Sequence, residues 1–269
     1  MPRFNRFHAL WMSFYSAELY RDVAANWKGI GALYLLLLLA IVWIPSAVRV
    51  ASGTRTFVTV VEQELARSMP TINIRGGVMS AQPPGRHVLR FQDPSGGGMA
   101  MEVVIDDTIE VVPPDVKGDV MWLTRREFAL LRSRGERRTY SLGGAAELQL
   151  TPQKVIEWLE GATLWLPLIC YAGGVVGALI FRIVQAFIYG WIGRIFVRQF
   201  TSPLDNRSVV RLAAVAVTPV VVLRTLIWFG PSEPAWFIRW PIAIAITLLY
   251  LRFAIRSTTP AEPVGAGHG

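Results

Sequence analysis

The chain has 269 residues, 52% hydrophobic and 17% charged, with a mean hydropathy of +0.39, whereas soluble domains carry about 25% charged residues, so the composition is that of a membrane protein. Its single cysteine, Cys170, rules out an internal disulfide and any multi-cysteine zinc site. The net charge of +8 does not make a nucleic-acid-binding face, because residues 51–158 balance 13 Lys+Arg against 13 Asp+Glu and the whole excess flanks the apolar segments.

Residues 1–29 open the chain with a polar-aromatic stretch in which Leu10, Phe14, Leu19 and Val23 recur at helical spacings. Polar residues interleave, and Trp27-Lys28 marks a water edge. This predicts a cytoplasmic amphipathic segment, read as an anchor in the membrane interface or as a docking helix for a cytosolic partner. The first transmembrane helix is expected over 30–50, where Ile30 to Val48 carry no charge and exceed the apolar core of a signal peptide. Residues 51–160 then form a helix, stopped by Pro70, followed by a β-rich domain. Six mainly antiparallel strands are predicted, in "TINIR", "HVLRF", "MAMEVVID", "DVMWLT", "FALLRS" and "RRTYSL".

Thr151-Pro152 reads as the N-cap and first residue of a helix leading into the second span. The apolar block 161–199 is too long for one perpendicular crossing. Ala162 to Phe181 suffices, and Arg182, Gln185, Tyr189 and Arg194 then form a polar stripe, so 182–196 is expected to be an interfacial or cytoplasmic extension. The third span is predicted over 209–230, a tight connection over 230–234, the fourth span over 236–252, and a disordered cytoplasmic tail over 253–269. The fold class is therefore α+β: four transmembrane helices with a β-rich domain inserted between spans one and two.

Basic residues at span ends set the orientation. Arg3, Arg6, Arg21, Lys28, Arg182, Arg194, Arg198, Arg207, Arg211, Arg252 and Arg256 collect on one side, and the balanced 51–158 loop lies on the other. Both termini are expected in the cytoplasm of a cell with an inner membrane, and residues 51–160 outside it.

No chemistry-bearing motif stands out. Asp106-Asp107-Thr108 has the first residues of a protease Asp-Thr-Gly loop, but Ile109 and a single copy favour a strand-end turn capped by aspartates. His87 has no second histidine on the same expected side of the membrane, since His8 and His268 fall in the terminal segments, and there is no visible carboxylate cluster for a metal. Catalytic, cofactor-binding and metal residues are all expected to be absent. Arg224 and Arg239 are costly inside lipid. They are read as snorkelling outward or as lining a polar pocket with Glu233, Gln149 or Glu160, and Arg182 joins them as a candidate functional polar residue. Pro219 is expected to kink span three, and Gly173, Gly174 and Gly177 to form a close-packing face on span two, with Gly173 and Gly177 carrying it.

Several stretches in order along the chain carry a resemblance: "FYSAELYRDVAANWKGIGALYLLLLL", "INIRGGVMS", "VIDDT", "RRTYSL", "TPQKVIEWLE", "FRIVQAFIYGWIG" and "RLAAVAVTPVVVL". Together they resemble the bacterial membrane-protein family catalogued as domain of unknown function 1189, some members of which are labelled maltodextrin-utilisation protein. In that family "VIDDT" tends to read Ile-Asp-Thr-Thr-Gly, a pattern that Ile109 and Glu110 break here. The resemblance implies an integral membrane protein without settled activity. The expected function is a non-enzymatic binding or assembly protein of the cell envelope. Its expected partners are the bilayer and a membrane or envelope protein, with a homo-oligomer compatible. The alternative is an accessory component of a transport system, including a carbohydrate system, or a small-solute conduit.

Overall fold

The computed structural model describes residues 3–92, 99–116, 118–132, 136–144, 147–228 and 236–259. It divides into two compact units, one of Met1–Ala47 with Cys170–Gly269 and one of Val48–Ile169. Four helical stretches are long and apolar enough to cross a membrane: Ala32–Ser68, Pro152–Gln199, Asn206–Ile227 and Trp240–Thr258. The chain is thus α+β and compatible with a multi-pass membrane protein.

The helical unit begins with α1 (Arg6–Met12) and α2 (Ala17–Asn26). Ser16 caps α2 by accepting from the Leu19 N–H at 3.2 Å. The chain then turns through Gly31, whose φ of +83° suits glycine and whose Cβ would sit 3.0 Å from that of Ala214. α3 (Ala32–Ser68) follows, continuous from the first apolar segment to the residue before Met69-Pro70. α4 (Pro152–Gln199) is likewise one helix, capped where Lys154 N–H meets the Thr151 hydroxyl. The 182–196 stretch is therefore no separate extension: Ala186, Tyr189, Gly190 and Gly193 are buried in this unit's core. Arg182, Gln185 and Tyr189 hydrogen-bond in a chain beside a cavity, while Arg194 is exposed.

The third predicted span is one helical stretch, Asn206–Ile227, divided at Val217 into α5 (Asn206–Ala216) and α6 (Thr218–Trp228), with Asp205 capping the first. Val217 keeps helical dihedrals and its N–H donates to the Ala213 carbonyl at 3.2 Å, while Pro219, two residues on, has no N–H to give the ladder. The most apolar window of this segment is 67% buried against 11% for α4, so α5–α6 is the central element. α7 (Trp236–Thr258) closes the unit. Its last turns correct the expectation of a disordered tail from 253: Ala254 and Ile255 are fully buried against the core, and only residues beyond 259 fall outside the described ones. The predicted connection over 230–234 lies outside them too.

The second unit holds eight strands rather than six: β1 (Thr71–Arg75), β2 (Val78–Gln82), β3 (Arg86–Gln92), β4 (Met99–Asp106), β5 (Val120–Thr124), β6 (Glu127–Leu131), β7 (Arg137–Ser141) and β8 (Leu148–Leu150). They form two sheets, ordered β2-β1-β8 and β3-β4-β5-β6-β7. All pairings are antiparallel except β4 with β5. β2 was missed because "VMSAQ" reads as loop after two glycines. Those glycines are the turn: Gly76 and Gly77 both have positive φ, the two-residue hairpin geometry that pairs Arg75 with Val78. β8 is too short to show a period. Ile72, Ile74, Met79, Leu89, Phe91 and Ile105 fill one core with Val61 and Leu65 of α3. Val104, Val112, Trp122, Ala129 and Leu131 fill a second.

Candidate functional site

Within the helical unit, α3, α4, α6 and α7 wall a cavity of about 530 Å³. Its sides are mostly apolar, including Val42, Trp43, Val221 and Ile244. One wall is not. Arg182, Gln185 and Tyr189 stand at i, i+3 and i+7 on α4, which places them on one face of the helix. Arg182 is only 9% exposed. Its Nη1 donates to Gln185 Oε1 at 2.5 Å, and Gln185 Nε2 donates to the Tyr189 hydroxyl at 3.2 Å. Arg224 lines the same cavity from α6. No carboxylate is among the described lining residues.

Sequence reasoning separated what the fold brings together. Arg182 had been grouped with the cytoplasmic flank and Arg224 with the opposite end of a span, yet both face one cavity. Gln149 and Glu160, considered as partners, belong to the other compact unit, while Glu233 and the Arg239 side chain lie outside the described residues. The polar stripe was the usable signal, since its spacing already put three hydrogen-bonding side chains on one face.

The glycine expectation is corrected similarly. A Cβ on Gly173 or Gly177 would meet nothing within 4 Å, whereas one on Gly174 would clash with the Trp43 ring at 2.5 Å. A comparably close approach lies further along, where a Cβ on Gly190 would sit 2.6 Å from Val210 Cγ2 and one on Gly193 2.8 Å from Val209 Cγ1. "GWIG" is itself a pair of small residues one turn apart, so this contact was legible but overlooked.

A second polar assembly fixes the N-terminal segment. Arg211 on α5 is buried, and its guanidinium donates to the carbonyls of Trp27, Ala24 (2.7 Å) and Gly29 (3.3 Å) at the end of α2, and to the Ser208 hydroxyl at 2.8 Å. A cation there also complements the negative end of the α2 dipole. Asp22 accepts from the N–H groups of Arg3 (2.9 Å) and Phe4 (3.1 Å) and from the Asn26 amide (2.8 Å). Burial pushes its carboxyl up, but these donors outweigh that and hold it below the usual carboxylate range. Burial drives the Tyr20 hydroxyl well above its ordinary value, with Tyr34 and Tyr250 adding to the effect, while it donates to the Ser13 carbonyl at 2.6 Å. Leu19, Val23 and Trp27 are core residues, and Phe7, Trp11, Phe14 and Tyr15 stay exposed. The amphipathic segment thus turns its apolar face into the protein, with Phe14 on the opposite side from the one predicted. Tyr34 of α3 joins this network, its hydroxyl 2.6 Å from Thr218 Oγ1 at the start of α6.

In the β-rich unit the two aspartates are structural. Asp106 Oδ1 accepts from Thr108 N–H (3.0 Å) and Oγ1 (2.5 Å), making the strand-end turn even with Ile109 and Glu110 after it. Asp107 accepts from Ala81 N–H (3.1 Å) and Gly85 N–H (2.7 Å), tying down the β2–β3 connection. His87 Nε2 lies 2.9 Å from the Pro83 carbonyl. Among the described residues no group of three or more His, Cys, Asp and Glu could hold a metal.

A family model described as Protein of unknown function (DUF1189) matches residues 7–255. No curated protein and no solved structure matches the chain.

Proposed function

Given that the chain belongs to the DUF1189 family, whose description assigns no activity, we propose that it is a non-enzymatic binding protein of the inner membrane that holds a ligand within its helical unit. Both termini face the cytoplasm, and the β-rich unit lies on the other side, where it engages an envelope partner. The observation that carries the binding role is the cavity of about 530 Å³, a size within the range of small-molecule sites. It has a mainly apolar lining and a few convergent polar groups, the usual composition of such sites. The clustering of arginines at the helix ends supports the orientation.

The test is native mass spectrometry of the full chain released from detergent. A low-mass adduct should be retained and should disappear in Ala178→Trp, which fills the cavity from α4. Identical adduct patterns in both proteins would overturn the reading. Protease treatment of intact spheroplasts should cut within 71–150 and spare the termini; the reverse pattern would invert the orientation.

Arg224 on the cavity wall favours a second reading as a transport accessory or conduit, because charged residues within apolar helices often mark solute pathways. Flux of a small solute into proteoliposomes that is lost in Arg224→Ala would establish it.

A further inference from the structure

The geometry points to an anionic amphiphile as the cavity's ligand: an oxyanion, phosphate or carboxylate, carried on an apolar body and gripped between Arg182 and Arg224. This rests on the cavity being a binding site, as proposed above, and adds the chemistry of what it takes.

Two guanidinium groups line the cavity and no carboxylate does among the described residues. Arg182 is 9% exposed, lies 5.8 Å from the Phe181 ring centroid, and among the described residues its one hydrogen bond is to a neutral amide. A cation taken out of water needs a counter-charge or a full set of acceptors, and Gln185 Oε1 supplies neither. Arg224 has no hydrogen-bond or ion-pair partner among the described residues. Direction matters as well. In the chain Arg182, Gln185, Tyr189 each group donates to the next, so the network ends on the Tyr189 hydroxyl with its hydrogen unused among the described residues. The wall therefore offers donors from both arginines and the tyrosine. Planar guanidinium groups suit the paired oxygens of phosphate and carboxylate. Elsewhere in the lining, Val42, Trp43, Val221 and Ile244 give a hydrocarbon chain an apolar bed. A free inorganic anion would use the first feature and leave the second empty.

The experiment measures binding to the purified full chain in neutral detergent, by native mass spectrometry and by thermal stabilisation. Dodecyl phosphate is compared with dodecyl phosphocholine, which has the same tail and no net charge, with inorganic phosphate, and with phosphatidylglycerol. Dodecyl phosphate should exceed dodecyl phosphocholine by about tenfold, the order of one charge-assisted hydrogen bond. Arg182→Gln and Arg224→Gln should each remove about that factor, with Arg182→Lys retaining part of it. Tighter binding of phosphatidylglycerol than of dodecyl phosphate assigns the ligand to the bilayer's own lipids, and the reverse order assigns a single-chain amphiphile; both support the inference. Equal affinity for the phosphate and the phosphocholine, equal affinity for inorganic phosphate, or no change in Arg224→Gln overturns it. Arg224→Gln keeps the test decisive should Arg182→Gln fail to fold. An adduct that is lost in Ala178→Trp yet indifferent to charge would sink this inference while leaving the cavity's binding role intact.

Discussion

In the helical unit α5 is sealed along Ala213, Ala214, Val215 and Ala216, packed among large buried residues such as Tyr20, Tyr34, Leu212 and Ile255, while Ile180, Ile188, Trp191 and Ile195 of α4 are more than half exposed. On the strands of the β-rich unit the large apolar residues Met79, Leu89, Ile105 and Trp122 are buried, with no such exposed apolar face among these four. The contrast is the one a helical unit in lipid and a β-rich unit in water would show. Lipid solvates a tryptophan as well as a protein core does, so close approach of backbones selects small side chains. Water drives the largest apolar groups inside. Hydrophobicity thus identifies which helices are long and apolar enough to cross a membrane and says little about which one is most buried.

The contrast can be sharpened by substitution in detergent-solubilised full chain. Trp122→Ala should cost the β-rich unit about 3–5 kcal/mol, the order for truncating a buried aromatic, read by hydrogen exchange across residues 71–150. Arg211→Met should cost the helical unit about 3 kcal/mol by leaving the α2 carbonyls without their charged donor. Faster tryptic cleavage at Arg21 would report it. Gly190→Leu should cost about 1–3 kcal/mol by overpacking against Val210, whereas Gly173→Ala and Gly177→Ala should stay within about 0.5 kcal/mol; equal effects at the three sites would break the comparison. The smallest effect concerns pH. Because Asp22 titrates below its ordinary range when folded, its contribution is present above that range and lost as pH falls through the lowered value. Cleavage at Arg3 and Arg6 by an acid-tolerant protease should therefore rise on acidification, and Asp22→Asn should show the raised rate at neutral pH.

Local signals carried much of the fold. Thr151-Pro152 opens α4, α3 stops before Pro70, and the alternating run 99–106 is a strand. What stayed hidden depends on partners distant in the chain. Arg182 and Arg224 look like members of opposite flanks until α4 and α6 are seen to wall one cavity, and Leu19, Val23 and Trp27 look like a lipid-facing stripe until α5 covers them. The Gln185 and Tyr189 contributions were visible as spacing, but a polar stripe on an apolar helix reads equally well as one facing headgroups. The β4–β5 parallel pair has no local signature either, since a 13-residue connection conceals the strand's direction.

The Arg211 clamp also sets an order of assembly. The carbonyls it holds precede it by some 184 positions, so the opening segment has no seat until the third crossing has left the ribosome. A chain halted before that point would carry a loose, aromatic-rich head, a mark by which quality-control proteases could tell an unfinished copy from a finished one.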